Sequence, residues 1–342
     1  MASSRPTLRS LAREAGVSPM TFSLALRNSR EVSAGTRARL QDLAFRAGYR
    51  PDPQVSKLMH HLRTRRRARV QANLCAMTHA WKLGRFPAGS FPHRLDASLR
   101  SRADALGYTL EFLNLDDYPT ARQLQRVLVN RGIEGLLLLP LREPTDLSRR
   151  LDWSLFSTVS VTSSLIAPKL HSVTSNHFDN TLKACRELAA AGFRRIGIAM
   201  ASDWDKRVSH RWSGGIAWQN QSGGTEPVPP LIGERPGTSL DAGIFARWLR
   251  AERPDAVILE ALNHDELERV LAELPPSRRP RIATMNWPSS LADFGIDQNV
   301  ERIGTVAVDI LASMLTRGEK GIPLLPDITM IEGTWTLPSA RT

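Results

Sequence analysis

The apolar residues of this chain follow two different rhythms. From residue 71 onward, short apolar runs alternate with amphipathic stretches. The runs Leu74–Thr78, Thr109–Leu115, Ile133–Leu139, Thr158–Val161, Arg195–Met200, Ala256–Ala261 and Arg281–Met285 have the length and continuity of buried strands. The stretches near 93–106, 120–131, 178–191, 204–220, 239–251, 264–273 and 299–317 read as helices with one apolar face. Strand and helix in alternation predict parallel sheets with crossover helices. Gly107, Gly132 and Gly192 stand at helix-to-strand junctions, where such units turn.

The first fifty residues have a helical rhythm only, and their caps predict three short helices. Thr7 caps a helix over Leu8–Ala15, and Gly16 supplies the permissive backbone of a tight turn. Ser18 caps the next, with Pro19 at its first position, where a missing N–H costs nothing. Ser33 caps the third, which runs to about Ala47 and stops at Gly48. Helix, glycine turn and helix make the helix-turn-helix pattern. Phe22, Ala25 and Leu26 share one face of the second helix. They are expected to pack with Leu8, Leu11, Ala12, Val17, Val32, Leu40 and Leu43. Met20 and Leu24, four residues apart, fall on the opposite face. Two large apolar groups turned away from a small core are either incidental exposure or a surface that meets thymine methyls in a major groove.

Charge favours the second reading. Residues 1–70 hold 15 Lys+Arg against four acids, a net of +11, whereas the whole chain is +12. The remaining residues are therefore close to neutral, at +1. A basic head on a neutral body is the footprint of a module that binds a polyanion. The basic run Arg63, Arg65, Arg66, Arg67 and Arg69 is either a solvated linker or a source of phosphate contacts that steepens salt dependence. Cys75 and Cys185 are too few for a disulfide framework and are expected as free thiols. Met1–Pro6 has no apolar signal core, and the run Gly135–Leu141 is too short to span a bilayer. A cytoplasmic protein is expected.

The head is also similar to a known one. The residues Thr7–Leu8, the turn Ala15-Gly16-Val17-Ser18, Thr21, Ser23, Asn28, Val32-Ser33, Thr36-Arg37 and Gly48-Tyr49-Arg50-Pro51 resemble the DNA-binding head of the LacI/GalR family of transcriptional regulators. The resemblance implies base reading by Pro19, Met20 and Leu24 in the major groove. The phosphate contacts it implies are Thr7, Ser18, Thr21, Ser23, Asn28, Ser33, Thr36 and Tyr49. Position 24 is usually arginine in the family, so the common guanine contact is missing here. After Pro51-Asp52-Pro53, the resemblance implies a hinge helix that folds on DNA with its dimer mate. Leu58 would be the wedge that opens a minor-groove base step.

In the core, "RGIEGLLLLP" and "HFDNTLKACRELAAAGFRRIGIAM" resemble the family's sensor, which is built like a periplasmic sugar-binding protein. The fold so implied is an all-α helix-turn-helix head plus an α/β core of two lobes with parallel sheets and three chain crossings. The divisions expected are a head at 1–50 and a hinge with basic linker at 51–70. The N-terminal lobe is expected at 71–162 plus 296–322, and the C-terminal lobe at 163–295 plus 323–342. Ligands of that fold bind between the lobes, beyond the carboxyl ends of strands. Arg211, in Arg211-Trp-Ser-Gly214, matches a family arginine that faces the ligand. Trp81, Phe86 and Phe91 lie after the first strand, and Trp204 lies after Met200. Asn263 falls near a family Asn-Asp pair, and Asn286-Trp287 replaces the family's paired aspartates. These tryptophans are either ligand-stacking surfaces or lobe-packing core.

An enzyme is the first rival reading. The chain has no Walker A sequence, no Gly-x-Gly-x-x-Gly, no zinc-ligand spacing and no Gly-x-Ser-x-Gly elbow. His60-His61 lacks other ligands nearby, so neither metal nor cofactor is expected. The second rival is an architectural DNA-binding dimer with a ligandless core. The expectation carried forward is a homodimeric repressor on a pseudo-palindromic operator, controlled by a small-molecule effector such as a sugar or related metabolite, with no membrane partner.

Overall fold

Residues 7–26, 32–47, 49, 72–79, 86–233, 239–260, 262–289 and 292–337 are described by the computed structural model. The chain divides into two units, one of Met1–Gln71 with Ser313–Glu319, the other of Ala72–Ala312 with Lys320–Thr342.

In the first unit, the caps set the helices. The Thr7 hydroxyl accepts from the Ser10 N–H while the Ser10 side chain accepts from the Thr7 N–H, which starts α1 (Leu8–Glu14). Gly16, at φ +68°, turns the chain. Ser18 Oγ accepts from the Thr21 N–H at 3.0 Å at the start of α2 (Pro19–Leu26), and Ser33 caps α3 (Ala34–Arg46). Leu11, Ala12, Phe22, Ala25, Val32, Leu40 and Ala44 form the buried centre. Leu8, Val17, Leu26, Leu43 and Tyr49 close its rim.

The second unit holds two six-stranded sheets. The first contains β1 (Asn73–Thr78), β2 (Thr109–Asn114), β3 (Ile133–Leu138), β5 (Ser157–Val161), β7 (His171–Ser175) and β13 (Ile328–Ile331). They run parallel in the order β13-β7-β5-β3-β1-β2. The second contains β8 (Ile196–Met200), β9 (Leu231–Ile232), β10 (Ala256–Leu259), β11 (Arg281–Thr284), β12 (Phe294–Asp297) and β14 (Thr334–Thr336). Its order is β14-β12-β11-β10-β8-β9, with only β14 antiparallel. The short strands β4 (Thr145–Asp146) and β6 (Leu165–Ala167) pair by themselves.

Strands buried on both faces explain the continuous apolar runs. On β1, Cys75 and Met77 face Leu124 and Leu128 of α5 (Ala121–Asn130). Leu74 lies on the opposite face, near Leu311 of α11 (Val300–Arg317), and Gly135 leaves these two side chains room. On β8, Ile196, Ile198 and Met200 share a cluster with α6 (His177–Ala190) and α8 (Arg211–Ser222). Ala199 packs toward α9 (Ala242–Glu252) and α10 (His264–Ala272). The helix expected near 204–220 is two pieces, α7 (Ser202–Arg207) and α8, because Ser209 and His210 are left-handed. Both cysteines are free and buried, and burial pushes the Cys185 thiol up to about 12.

Chain crossings between the sheets fall after β7, after β12 and after β13. The lobe boundaries expected at 162 and 322 therefore move. β7 and β13, placed by sequence in the C-terminal lobe, hydrogen-bond to each other in the first sheet, and β7 also pairs with β5. HSVTS is polar-rich, and ITMI is only four residues long with alternate residues exposed, so neither stands out as a buried apolar run.

Candidate functional site

The start of α2 is exposed on the head: Met20 is 68% exposed, and Pro19 beside it is exposed too. The expectation that Leu24 faces wholly away from the head core is corrected. Leu24 is half-buried against the head core, because α2 is held between α1 and α3 and more than half of so short a helix is covered. Of the polar residues expected at phosphates, Thr7, Ser18 and Ser33 are exposed, while Thr21, Ser23, Thr36 and Tyr49 are partly so. Thr7, Ser18 and Ser33 each cap a helix start, so their hydroxyls are oriented before any partner arrives. Asn28 and Leu58 lie outside the described residues. Phe45, 85% exposed on α3, was not singled out by sequence.

In the core, strand order reverses on either side of β1 and of β8, which places the natural crevice at the carboxyl ends of β1, β3, β8 and β10. Arg211 leaves the second lobe there. Its Nη1 donates to Ser163 Oγ at 2.8 Å, and Ser163 follows β5 of the first sheet, so this arginine joins the two lobes. Next to it, His177 is buried with Nδ1 unpartnered among the described residues, and its ring meets Trp212 edge-on at 5.5 Å. Burial first, and the positive field of Arg211 second, push the His177 pKa down to about 3.

A second junction was not anticipated. Arg94, on α4 (Phe91–Ala105), donates to both oxygens of Asp297 at the end of β12, at 2.9 and 3.0 Å. It also reaches both oxygens of Glu301 at 2.6 Å and the Trp287 carbonyl at 3.0 Å. The Glu301 hydrogen bonds hold the Arg94 guanidinium above its ordinary pKa and the Glu301 carboxyl below its own. Along the same seam Arg102 binds Asp309, and Gly304 leaves room for Ser98 where a Cβ would stand 2.0 Å from its oxygen. Phe91, Arg94, Asn286, Trp287 and Gln298 line a recess of about 10 Å³, room for about one water and far below an ordinary ligand pocket.

Beneath that recess lies a buried polar network. Glu260, at the end of β10, accepts from the Thr284 hydroxyl, the Met285 N–H and Asn286 Nδ2. Asn286 Oδ1 accepts from Gln298 Nε2 at 2.6 Å. Burial pushes the Glu260 carboxyl up, against these three donors. Asn286 is thus largely committed inside the protein. Asn263 is committed elsewhere: it caps α10, accepting from the Glu266 N–H at 2.9 Å. Trp204 is half-buried against the second-lobe core, with the Arg207 guanidinium 4.9 Å above its ring. Trp81 lies outside the described residues. Glu260, Gln298 and Arg94 are residues that pattern reading missed, since an isolated Glu, Gln or Arg at a strand or helix end carries no local signal.

Residues 7–52 match the family model of the bacterial regulatory proteins of the lacI family. The match covers the head alone, and it is the head that is similar to these bacterial regulatory proteins. No match is found among curated proteins. Among solved structures, the chain is similar to the lac repressor dimer bound to operator and the anti-inducer ONPF. The two are 18% identical with a TM-score of 0.54, and 97% of each chain is covered. It is similar to the regulator CelR in complex with cellobiose, 19% identical, TM-score 0.58, over 97% of this chain and 99% of that one. Cra from Pseudomonas putida, in complex with fructose 1-phosphate, is 19% identical with a TM-score of 0.55, over 79% and 100% of the two chains. At these identities the likeness establishes the fold: a LacI-like head on a periplasmic-binding-protein-like core. No helix among the described residues is long and apolar enough to cross a membrane.

Proposed function

We propose that this chain is a sequence-specific repressor, acting in the cytoplasm on the bacterial chromosome, whose operator affinity is set by a small-molecule effector. The observation that carries the reading is the lacI-type head with Met20 exposed on its second helix. Pro19 and Met20 read base edges in the major groove, with Leu24 at the margin of that surface. Thr7, Ser18, Thr21, Ser23, Asn28, Ser33, Thr36 and Tyr49 fix register on the phosphates. Leu58 wedges the minor groove. A homodimer places two heads on a pseudo-palindromic operator, as the lac repressor dimer occupies its own operator.

The effector, a sugar or related metabolite, binds where Arg211 joins the lobes, with Phe91, Trp204 and Trp287 as apolar surfaces nearby and Trp81 on the loop after β1. The sugar complexes of CelR and Cra support that class. Closing the lobes around a ligand re-sets the Arg211–Ser163 and Arg94–Asp297 junctions and so couples the cleft to the dimer. Selecting bound fragments from random duplex DNA tests the proposal: two half-sites of opposite orientation at fixed spacing are expected. Recovery of unrelated fragments with no shared half-site would overturn it.

A further inference from the structure

We infer that the three chain crossings form a single cross-tied hinge, with Asn176, Asn180 and Asn299 as its positioning residues and Arg94 gripping it from α4. The two lobes turn on it as rigid bodies about one axis, and no crossing bends alone. This device goes beyond the receptor reading above and is independent of the ligand that the core takes.

A chain that leaves one sheet for another carries N–H and C=O groups that neither ladder satisfies. Here, side chains from the other crossings satisfy them. At the third crossing the Gly333 N–H donates to Asn180 Oδ1 at 2.9 Å, and the Gly333 carbonyl accepts from Lys183 Nζ at 2.6 Å. Asn180 and Lys183 both stand on α6, just past the first crossing. Asn299, in the second crossing, donates through Nδ2 to the Glu332 carbonyl at 2.7 Å and to the Thr334 hydroxyl at 3.1 Å. In the first crossing, the Asn176 N–H donates to the Ile331 carbonyl at 2.9 Å and its Nδ2 to Glu332 Oε1 at 2.7 Å. Asn180, fully buried, completes the set by donating to Ser175 Oγ at the end of β7, at 2.8 Å.

Packing leaves no slack around these bonds. A Cβ on Gly333 would stand 2.6 Å from Ile296 Cγ2 of β12 and 2.7 Å from Asn180 Oδ1. The third crossing is thus squeezed between the second and the first. Asn299 is left-handed, at φ +53°, and its N–H is held by Asp297 Oδ1 at 2.9 Å. The same oxygen accepts from Arg94 Nη2, so the guanidinium that spans Asp297 and Glu301 also fixes the second crossing. Lobes turn only when hinge residues change φ and ψ. Such a change at one crossing breaks or drags hydrogen bonds at another, which makes the motion concerted.

The test reads the angle between the lobes in the full chain. Spin labels at R126C on α5 and R247C on α9, both exposed positions, report the distance from lobe to lobe. Labelled chain is diluted with unlabelled chain, and the buried Cys75 and Cys185 are spared the label. One narrow distance distribution is expected. N180A, R94Q and N299G (glycine keeps the left-handed backbone and removes the amide) are each expected to widen it about twofold or more, as cross-ties are lost. In the double variant N180A/N299G the two effects should not add, because both act on one network. N263A is the control: it removes the cap of α10, away from the crossings, and should leave the width unchanged. A width unchanged in any of the three variants, equal widening in N263A, or simple addition in the double variant would overturn the inference. Each of these outcomes leaves the receptor reading standing, since no ligand enters the measurement.

Discussion

The head and the core solve opposite problems with their polar and apolar side chains. In the head an apolar residue, Met20, is turned outward, and the polar side chains at the helix starts remain at the surface. In the core the reverse holds at the strand ends. Glu260, Asn286, Gln298 and Arg94 are turned inward onto one another, and the cleft is joined by protein–protein contacts at Arg211 and Arg94. A duplex is large and presents itself to a surface, so its reader needs only a rigid exposed helix. A small ligand must be surrounded, and on the proposed reading the core would keep its polar groups oriented for one by hydrogen bonds among themselves.

That comparison can be broken by mutation, and the largest effect should come from the centre of the head. Phe22→Ala removes a fully buried ring from a seven-residue core and should cost about 3–5 kcal/mol. Two thermal transitions are expected, with only the one assigned to the head shifted and duplex binding lost. A shift of both would show that the two units do not unfold independently. In the core, Glu260→Ala leaves three buried donors without an acceptor and should cost about 3 kcal/mol. Glu260→Gln, which still accepts through its amide oxygen, should cost clearly less. Equal losses in the two variants, read by chemical denaturation, would remove the network from its role.

His177 gives the comparison a pH dependence. Its folded pKa is lowered, so its contribution is fully present above the unfolded value of 6.5 and is lost as pH falls toward about 3. Stability of the core should decline in that window with a slope approaching about 1.4 kcal/mol per pH unit from this group. His177→Phe should flatten the decline, and an unchanged slope in that variant would place its origin elsewhere.

The smaller effects separate reading from folding. Met20→Ala should weaken the preferred duplex by about 1.5 kcal/mol, the order of one buried apolar side chain, while leaving head stability and binding to random duplex nearly unchanged. An equal loss on every sequence would make Met20 a general contact instead of a base reader. Asn263→Ala should cost about 1 kcal/mol of core stability, because a helix cap is lost, and should not alter ligand binding. Altered ligand affinity with unchanged stability would restore Asn263 to the cleft.

Much of this protein was legible without its structure. Thr7, Gly16, Ser18 and Ser33 fixed the head helices through local capping and turn chemistry, which acts over three or four residues. The strand cores were equally plain, because a parallel strand covered on both faces is apolar without interruption. Arg211 was singled out because its neighbours in sequence resemble a family motif, and its guanidinium donates to Ser163 of the other lobe. Other features were set only in three dimensions. Leu24 is half-covered because two helices flank a third, and Asn263 is a cap because α10 begins there. β7 and β13 meet although more than 150 residues lie between them, and Arg94 meets Asp297 and Glu301 over 203 and 207 residues. Short-range hydrogen bonding and burial leave a mark on neighbouring residues. Contacts between distant segments leave none, since each partner alone is an ordinary side chain, and only the packed sheets bring their charges together.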